Sequence, residues 1–179
     1  MTYHDIIDFW FVELEPGTWT RKIPELDEQM RQRFSELHQQ AVQGELWRWR
    51  EADLGRLAEV IVLDQFARNM WRGTQDAFAG DGMALVLAQE AIALGVDRRL
   101  PLEQRLFLYM PFMHSESLVI HEQALELFSE PGLEENLEYE HRHRDILLRF
   151  GRYPHRNEIL GRTSTEQEVQ FLTQPGSSF

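Results

Sequence analysis

Residues 24–44 carry the pattern that limits the fold most. Pro24 opens a run in which Leu26, Met30, Phe34, Leu37 and Ala41 recur at spacings of four and three, and Gly44 closes it. That spacing places the apolar side chains on one face of an α-helix. Proline suits a first helical turn, and glycine suits the position just past the last one. The same punctuation recurs along the chain. An early helix is predicted around Asp5–Val12, with Ile6, Phe9 and Trp10 on it. A second long helix is predicted from about Ala52 to Asn69, and its stretch Val60-Ile61-Val62-Leu63 is apolar on all sides, so it should be central. Asp81 is placed to cap a helix that runs to Leu94 and stops at Gly95. Pro101 opens the next, which Pro111 ends. Ser115 is placed to cap another that finishes near Ser129. Leu133 to Phe150 is closed by Gly151, and Thr165 with Glu168 forms a capping box for a last helix through Leu172.

No segment alternates apolar and polar residues as a strand would. The class is therefore all-α: about eight helices, joined by short connections and suited to stacked antiparallel pairs. No linker or low-complexity stretch divides residues 1–179, so one domain is expected, and a chain of this length buries roughly 70% of its unfolded surface. There is no cysteine, which removes disulfides, thiolate metal sites and thiol nucleophiles and fits a reducing, cytoplasmic setting. Met1 to Asp5 lacks the basic and apolar regions of a signal peptide. No apolar run approaches the ~18 residues of a membrane span. The net charge of −12 argues against broad nucleic-acid binding, which needs a basic face.

That charge is unevenly spread. Residues 141–162 hold Arg142, Arg144, Arg149, Arg152, Arg156 and Arg162 against Asp145 and Glu158, a local +4, which leaves −16 for the remainder. The chain has 17 arginines and one lysine. Codon usage in a GC-rich genome would also raise that ratio, but it explains less of the clustering. The guanidinium is a rigid planar fork that matches carboxylates and phosphates. Residues 149–162 set these arginines beside Phe150, Tyr153, Ile159 and Leu160, a mixture that suits a folded polar knot able to hold an anion.

A second polar group lies on the central helix. On a helical wheel Asp64, Arg68, Arg72 and Gln65 span about 100°. Asp64 and Arg68 are four apart, in the favourable order for an ion pair. The stripe and the knot are expected to form two halves of one pocket. A solvated last turn, with arginines set against the helix dipole, is the plainer alternative.

The seven histidines do not make a metal site by spacing. His141 and His143 point about 200° apart on a helix, and His114 and His121 are two turns apart. No His-Glu-x-x-His pair is present. His143 falls on a buried face with Tyr139, Ile146 and Phe150, as a hydrogen-bonded core histidine would. His114 and His155 are the candidates for acid–base work, because imidazole titrates near neutrality. There is no phosphate loop, nucleophile elbow or kinase motif, and no cofactor or metal is indicated. The tail Gln174-Pro175-Gly176-Ser177-Ser178-Phe179 is flexible by composition, yet it ends in an aromatic able to anchor in an apolar notch, with its carboxylate near Arg152, Arg156 or Arg162.

Four phrases resemble one bacterial family, the domain-of-unknown-function family numbered 924. They are Leu63-Asp64-Gln65-Phe66-Ala67-Arg68-Asn69, His114-Ser115-Glu116, Phe150-Gly151-Arg152-Tyr153-Pro154-His155-Arg156-Asn157 and Leu160-Gly161-Arg162-Thr163-Ser164-Thr165. Asp8-Phe9-Trp10-Phe11 and Pro175-Gly176-Ser177-Ser178-Phe179 are similar too, so the resemblance spans essentially the whole chain. It implies an all-α fold like the tetratricopeptide-like α-α superhelices, and it implies no activity. The family's motif residues fall on Asp64, Gln65, Arg68, Asn69, His114, Glu116, His143, Arg152, His155, Arg156, Asn157 and Arg162, taken here as candidate ligand-binding residues. Ala67 stands where the family commonly has proline. His121 stands where glutamine is expected, and no role is carried onto it.

Three functions are compatible with these residues. The first is a non-catalytic binding module whose Arg/His pocket takes the carboxylate or phosphate of a peptide or metabolite. The second is an enzyme of small phosphorylated or carboxylated substrates with His114 or His155 as acid–base. The third is a purely structural network of arginines and carboxylates. Nothing in the sequence bears on oligomeric state.

Overall fold

The computed structural model describes residues 1–19 and 21–179, and Thr20 lies outside the described residues. It is all-helical, with no strand among the described residues. Two compact units make up the chain, Met1–Arg72 with Asp76–Pro111, and Gly73–Gln75 with Phe112–Phe179.

In the first unit, α1 (Tyr3–Asp8) runs into a π-helical turn at Phe9–Glu13, and α2 spans Pro24–Val42. Helix α3 (Asp53–Ile61) continues through a π-helical turn at Val62–Phe66 into α4 (Ala67–Met70) as one unbroken helix. Helix α5 spans Asp81–Ala93, and α6 spans Leu102–Met113, its last two residues counted in the second unit. The stretch Val60 to Leu63 is completely buried, as its uniform apolarity required. Around it Phe9, Phe34 and Phe66 pack ring to ring at 4.7–5.7 Å, and Trp10 adds contacts to Phe66 and Phe107 at 5.5 and 5.6 Å. Such offset and edge contacts suit aromatic quadrupoles. Gly55 lets α3 sit against the 3₁₀ turn Trp47–Glu51, since a Cβ there would lie 2.0 Å from the Trp49 carbonyl oxygen.

In the second unit, α7 (Leu118–Phe128) and α8 (Glu134–Phe150) are joined by a short turn and packed as a helical hairpin. Beyond Gly151 the chain forms an irregular knot with a 3₁₀ turn at Pro154–Arg156. Helix α9 (Glu166–Leu172) follows, started by the expected capping box. The Thr165 N–H donates to Glu168 at 2.7 Å, and the Glu168 N–H donates to Thr165 Oγ1 at 3.2 Å. Tyr153, Ile146 and Leu147 are the buried centre, with Phe150 and Phe171 at its edge.

With α3 and α4 counted as one helix, eight helices are described, and three boundaries differ from the sequence pattern. Helix α6 does not end at Pro111 but passes through it to Met113. Proline costs the helix one donor yet keeps a helical φ, and burial of Phe112 and Met113 offsets that loss. Helix α7 starts after Ser117, not Ser115, whose hydroxyl instead accepts the Ser117 N–H at 3.2 Å. Asp81 is the first residue of α5, with Gly80 as the cap, and residue 80 has no room for a side chain, since a Cβ there would lie 2.6 Å from the Leu63 carbonyl oxygen. Among the described residues no helix is long and apolar enough to cross a membrane.

Gly55→Ala forces backbone against backbone and is expected to cost about 3 kcal/mol, the upper range for overpacking. Urea denaturation of the variant checks it, and a midpoint equal to wild type would mean that the turn yields freely.

Candidate functional site

The stripe on the central helix is a closed network. Asp64 is fully buried, and Arg68 lies 2.9 Å from its carboxylate. The same guanidinium also grips Asp81 with two bonds, at 2.8 and 3.0 Å. Gln65 Nε2 donates to the other Asp64 oxygen, and Asn69, next to Arg68 in sequence, is buried too. Arg72 pairs with Asp27 through two bonds at 2.8 and 3.1 Å, so it turns to α2 rather than joining Asp64. The π-helical turn contains Asp64 and Gln65, so the wheel drawn at regular pitch does not describe their directions.

The knot in the second unit is also self-paired. The Glu116 carboxylate accepts the Tyr153 N–H at 2.7 Å and both arms of Arg162 at 2.7 and 2.9 Å. Burial alone would raise the Glu116 carboxyl, but Arg162 and the Tyr153 N–H outweigh it and hold it below its usual range. Arg162 also reaches Tyr153 O and Asn157 Oδ1 at 3.1 and 3.0 Å, and Asn157 passes the chain on to Ser164 at 3.0 Å. Arg152 clamps Glu168 at 2.7 and 2.9 Å and donates to Thr163 O. That clamp, aided by the Thr165 N–H, pulls the Glu168 carboxyl down to about 2. Arg156 is buried, lies over the Tyr153 ring and donates to the His114 carbonyl at 2.9 Å. The motif residues of each unit therefore gather into one cluster apiece.

Two residues outside the site reading prove central to the second unit. His121 and Glu140 are both completely buried, with His121 Nδ1 2.5 Å from Glu140 Oε1 and one proton between them. His121 Nε2 donates to Ser115 O at 2.8 Å, and the Tyr153 hydroxyl, which donates to Met113 O, lies 3.0 Å away. Burial pushes the Glu140 carboxyl up, with the His121 contact opposing. A signal was available. Residues 121, 124 and 128, and residues 140, 143 and 147, form the buried stripes of α7 and α8, and a polar side chain in such a register needs a buried partner.

His143 is buried in that stripe as a core histidine, and Nδ1–H donates to Tyr139 O at 2.7 Å. Burial holds its imidazole neutral, with a pKa of about 3. Its ring also borders a groove of about 520 Å³ between one face of α8 and residues 171–179. Of the motif residues, only His143 lines this groove, and Tyr139, Arg142, Asp145, Ile146 and Arg149 line it from the same helix. Arg142 pairs with exposed Glu138. Arg149 has no carboxylate partner among the described residues. Its guanidinium is stacked 4.6 Å from the Phe150 ring centre and 5.5 Å from that of Phe171. The tail folds back, but not into a burying notch, because Phe179 stays 51% exposed. Its ring rests on His143, His155 and Tyr153 at 3.7, 4.5 and 5.1 Å, three rings that leave its outer face in solvent. No three His, Asp or Glu side chains among the described residues converge as a metal site would need.

These features define an all-helical protein whose buried carboxylates are held by arginines and one histidine. The chain belongs to the bacterial family of proteins of unknown function numbered 924, whose sequence model matches residues 6–176. It is also similar to a solved structure, a protein of unknown function from Agrobacterium tumefaciens. The two are 39% identical over 95% of this chain and 96% of that one, with a TM-score of 0.90. No curated protein matches this chain.

Removing Arg68 leaves a fully buried carboxylate short of its cation, so Arg68→Ala should lose about 3 kcal/mol in chemical denaturation. A loss below about 1 kcal/mol would class the pair with exposed ones.

Acid should weaken the fold in two windows. His143 is depressed from an ordinary 6.5 to about 3, so the unfolded chain binds a proton that the folded one refuses. Its contribution is whole above 6.5 and drains away toward 3, at up to ~1.4 kcal/mol per pH unit. His38, lowered by burial, acts in the same direction. Glu168 adds a second window from 4.5 down to about 2. Urea midpoints at pH 7, 5.5 and 4 should fall in turn, and His143→Gln should flatten the upper part. A midpoint constant from pH 7 to 5 would contradict a buried neutral imidazole.

Proposed function

We propose that this protein is a non-catalytic binding module, and that the groove along α8 takes the carboxylate or phosphate of a small organic molecule through Arg149. One observation carries the reading. Arg152 and Arg162 are clamped on carboxylates inside the knot, and Arg156 is buried there on the His114 carbonyl, whereas Arg149 lines the groove with no carboxylate partner among the described residues. Its two aromatic neighbours lie on one side of the guanidinium, their ring centres 5.0 Å apart, and leave its other side and N–H edge for an incoming anion. The volume of about 520 Å³ falls within the range of small-molecule sites. In this reading Glu116, Arg152, Arg156, Asn157 and Arg162 are the frame that keeps the base of α8 and the start of α9 in place. His114 and His155, the acid–base candidates, do not line the groove, which favours binding over catalysis.

Thermal melting in propionate or phosphate, against chloride at equal ionic strength, tests the reading. A ligand that binds only the folded state raises the midpoint by mass action. Wild type and Arg48→Ala, which removes a surface arginine stacked on Trp47, should both gain a few degrees. Arg149→Ala should lose the excess. An equal gain in all three would be general salting-out and would end the proposal.

A further inference from the structure

The groove and the seat of Phe179 are continuous, because His143 and Phe179 belong to both. We infer that the natural ligand is a small aromatic carboxylate, whose ring takes the seat now held by Phe179 while its carboxylate meets Arg149. This rests on the reading that the groove binds an organic anion through Arg149.

The chain itself shows what the seat accepts. A phenyl ring lies between two imidazoles and a phenol, with His143 3.7 Å away, His155 4.5 Å and edge-on, and Tyr153 5.1 Å and edge-on. His143 is neutral and pinned to Tyr139 O, and Tyr153 is pinned to Met113 O, so two walls of the seat are fixed whether or not a ring is present. The present occupant is held loosely. Half of its surface is exposed, and the hydrogen bonds of its segment, Ser177 N–H to Gln174 O and Ser177 Oγ to Leu172 O, run back to the end of α9. The ring can therefore swing out without breaking them.

The other half of the ligand follows from Arg149. A guanidinium offers parallel N–H donors in one plane, which a planar carboxylate matches with two bonds. His143 and Arg149 are six residues apart on α8, a rise of about 9 Å and a turn of about 120° around the axis. Both residues line the one groove, so the ligand's chain runs along it and the long arginine side chain supplies part of the reach. The apolar wall of Ile146 and Phe171 suits that chain.

Calorimetric titration of the full chain with 3-phenylpropionate and with propionate separates the two claims. Phe179 competes for the seat, so the apparent affinity of wild type is reduced by the fraction of seats that are open. Phe179→Ala should bind 3-phenylpropionate about tenfold tighter than wild type, since a competing ring is gone. Propionate, which has no ring to seat, should gain far less than 3-phenylpropionate from the same substitution. Adding Arg149→Ala should abolish binding of both compounds. Melting midpoints confirm that each variant is folded. If Phe179→Ala leaves the 3-phenylpropionate affinity unchanged or weakens it while Arg149→Ala still abolishes propionate binding, the aromatic seat falls and the anion site stands. If Arg149→Ala retains both compounds, or if neither compound binds any variant, the anion site falls and takes the seat with it. A peptide ending in phenylalanine that binds more tightly than 3-phenylpropionate would overturn the small-molecule assignment.

Discussion

A carboxylate taken out of water must be met by a cation and by donors for its remaining lone pairs, or the fold loses more than the burial gains. This chain meets that demand repeatedly with the arginine fork. Glu59, completely buried, is held at both oxygens by Arg50, at 2.7 and 2.7 Å. Asp64 has Arg68, which is shared with Asp81, and Asp27 has Arg72. Glu116 has Arg162 and Glu168 has Arg152. Lysine could supply the charge but not two parallel donors from one rigid plane. The ratio of 17 arginines to one lysine has a structural use in these clamps, whatever its origin in codon usage.

The clamps also explain how an irregular segment becomes a fixed one. Residues 152–165 contain only one 3₁₀ turn, so their backbone groups lack the regular partners of a helix. Side chains take over. Glu116 receives the Tyr153 N–H, Arg162 covers the Tyr153 carbonyl, and Arg152 covers that of Thr163. The anion-binding chemistry read from this stretch is real in kind, but its anions are the protein's own. Arg149 escapes because it still belongs to the exposed face of α8, one turn before these partners begin.

What was legible in the sequence was local. Apolar spacing gave the helices, the uniformly apolar Val60 to Leu63 gave the centre, and the order of Asp64 and Arg68 gave their pair. The boundaries that failed depended on neighbours distant in sequence. Gly80 rather than Asp81 is the cap, and it lies against the Leu63 carbonyl, an approach that no local rule reports. The π-helical turn at Val62–Phe66 is equally silent, since one extra residue per turn leaves composition unchanged. The candidate site was legible as a set of residue types but not as a state of pairing. Asp81, Asp27 and Glu168 lie 13, 45 and 16 residues from the arginines they satisfy. The groove was not legible at all. Its walls are a helix face and a tail more than twenty residues apart, and each looks like ordinary surface when read alone.

The His121–Glu140 pair shows why a buried polar contact persists where two apolar side chains would pack at less cost. An apolar hairpin interface tolerates a slip of one helix by a turn, about 5.4 Å, at the expense of some repacking. Here such a slip would separate Glu140 from His121 and leave both buried and unpaired. It would also take His121 Nε2 from Ser115 O and from the Tyr153 hydroxyl. One displacement therefore breaks the contacts of α7, α8, the loop at Ser115 and the knot together. Each buried polar group left without its partner costs about 1–3 kcal/mol, which repacked apolar contacts would have to return. The observed register is the one that satisfies this network, and it places His143 one turn beyond Glu140 on the same stripe of α8.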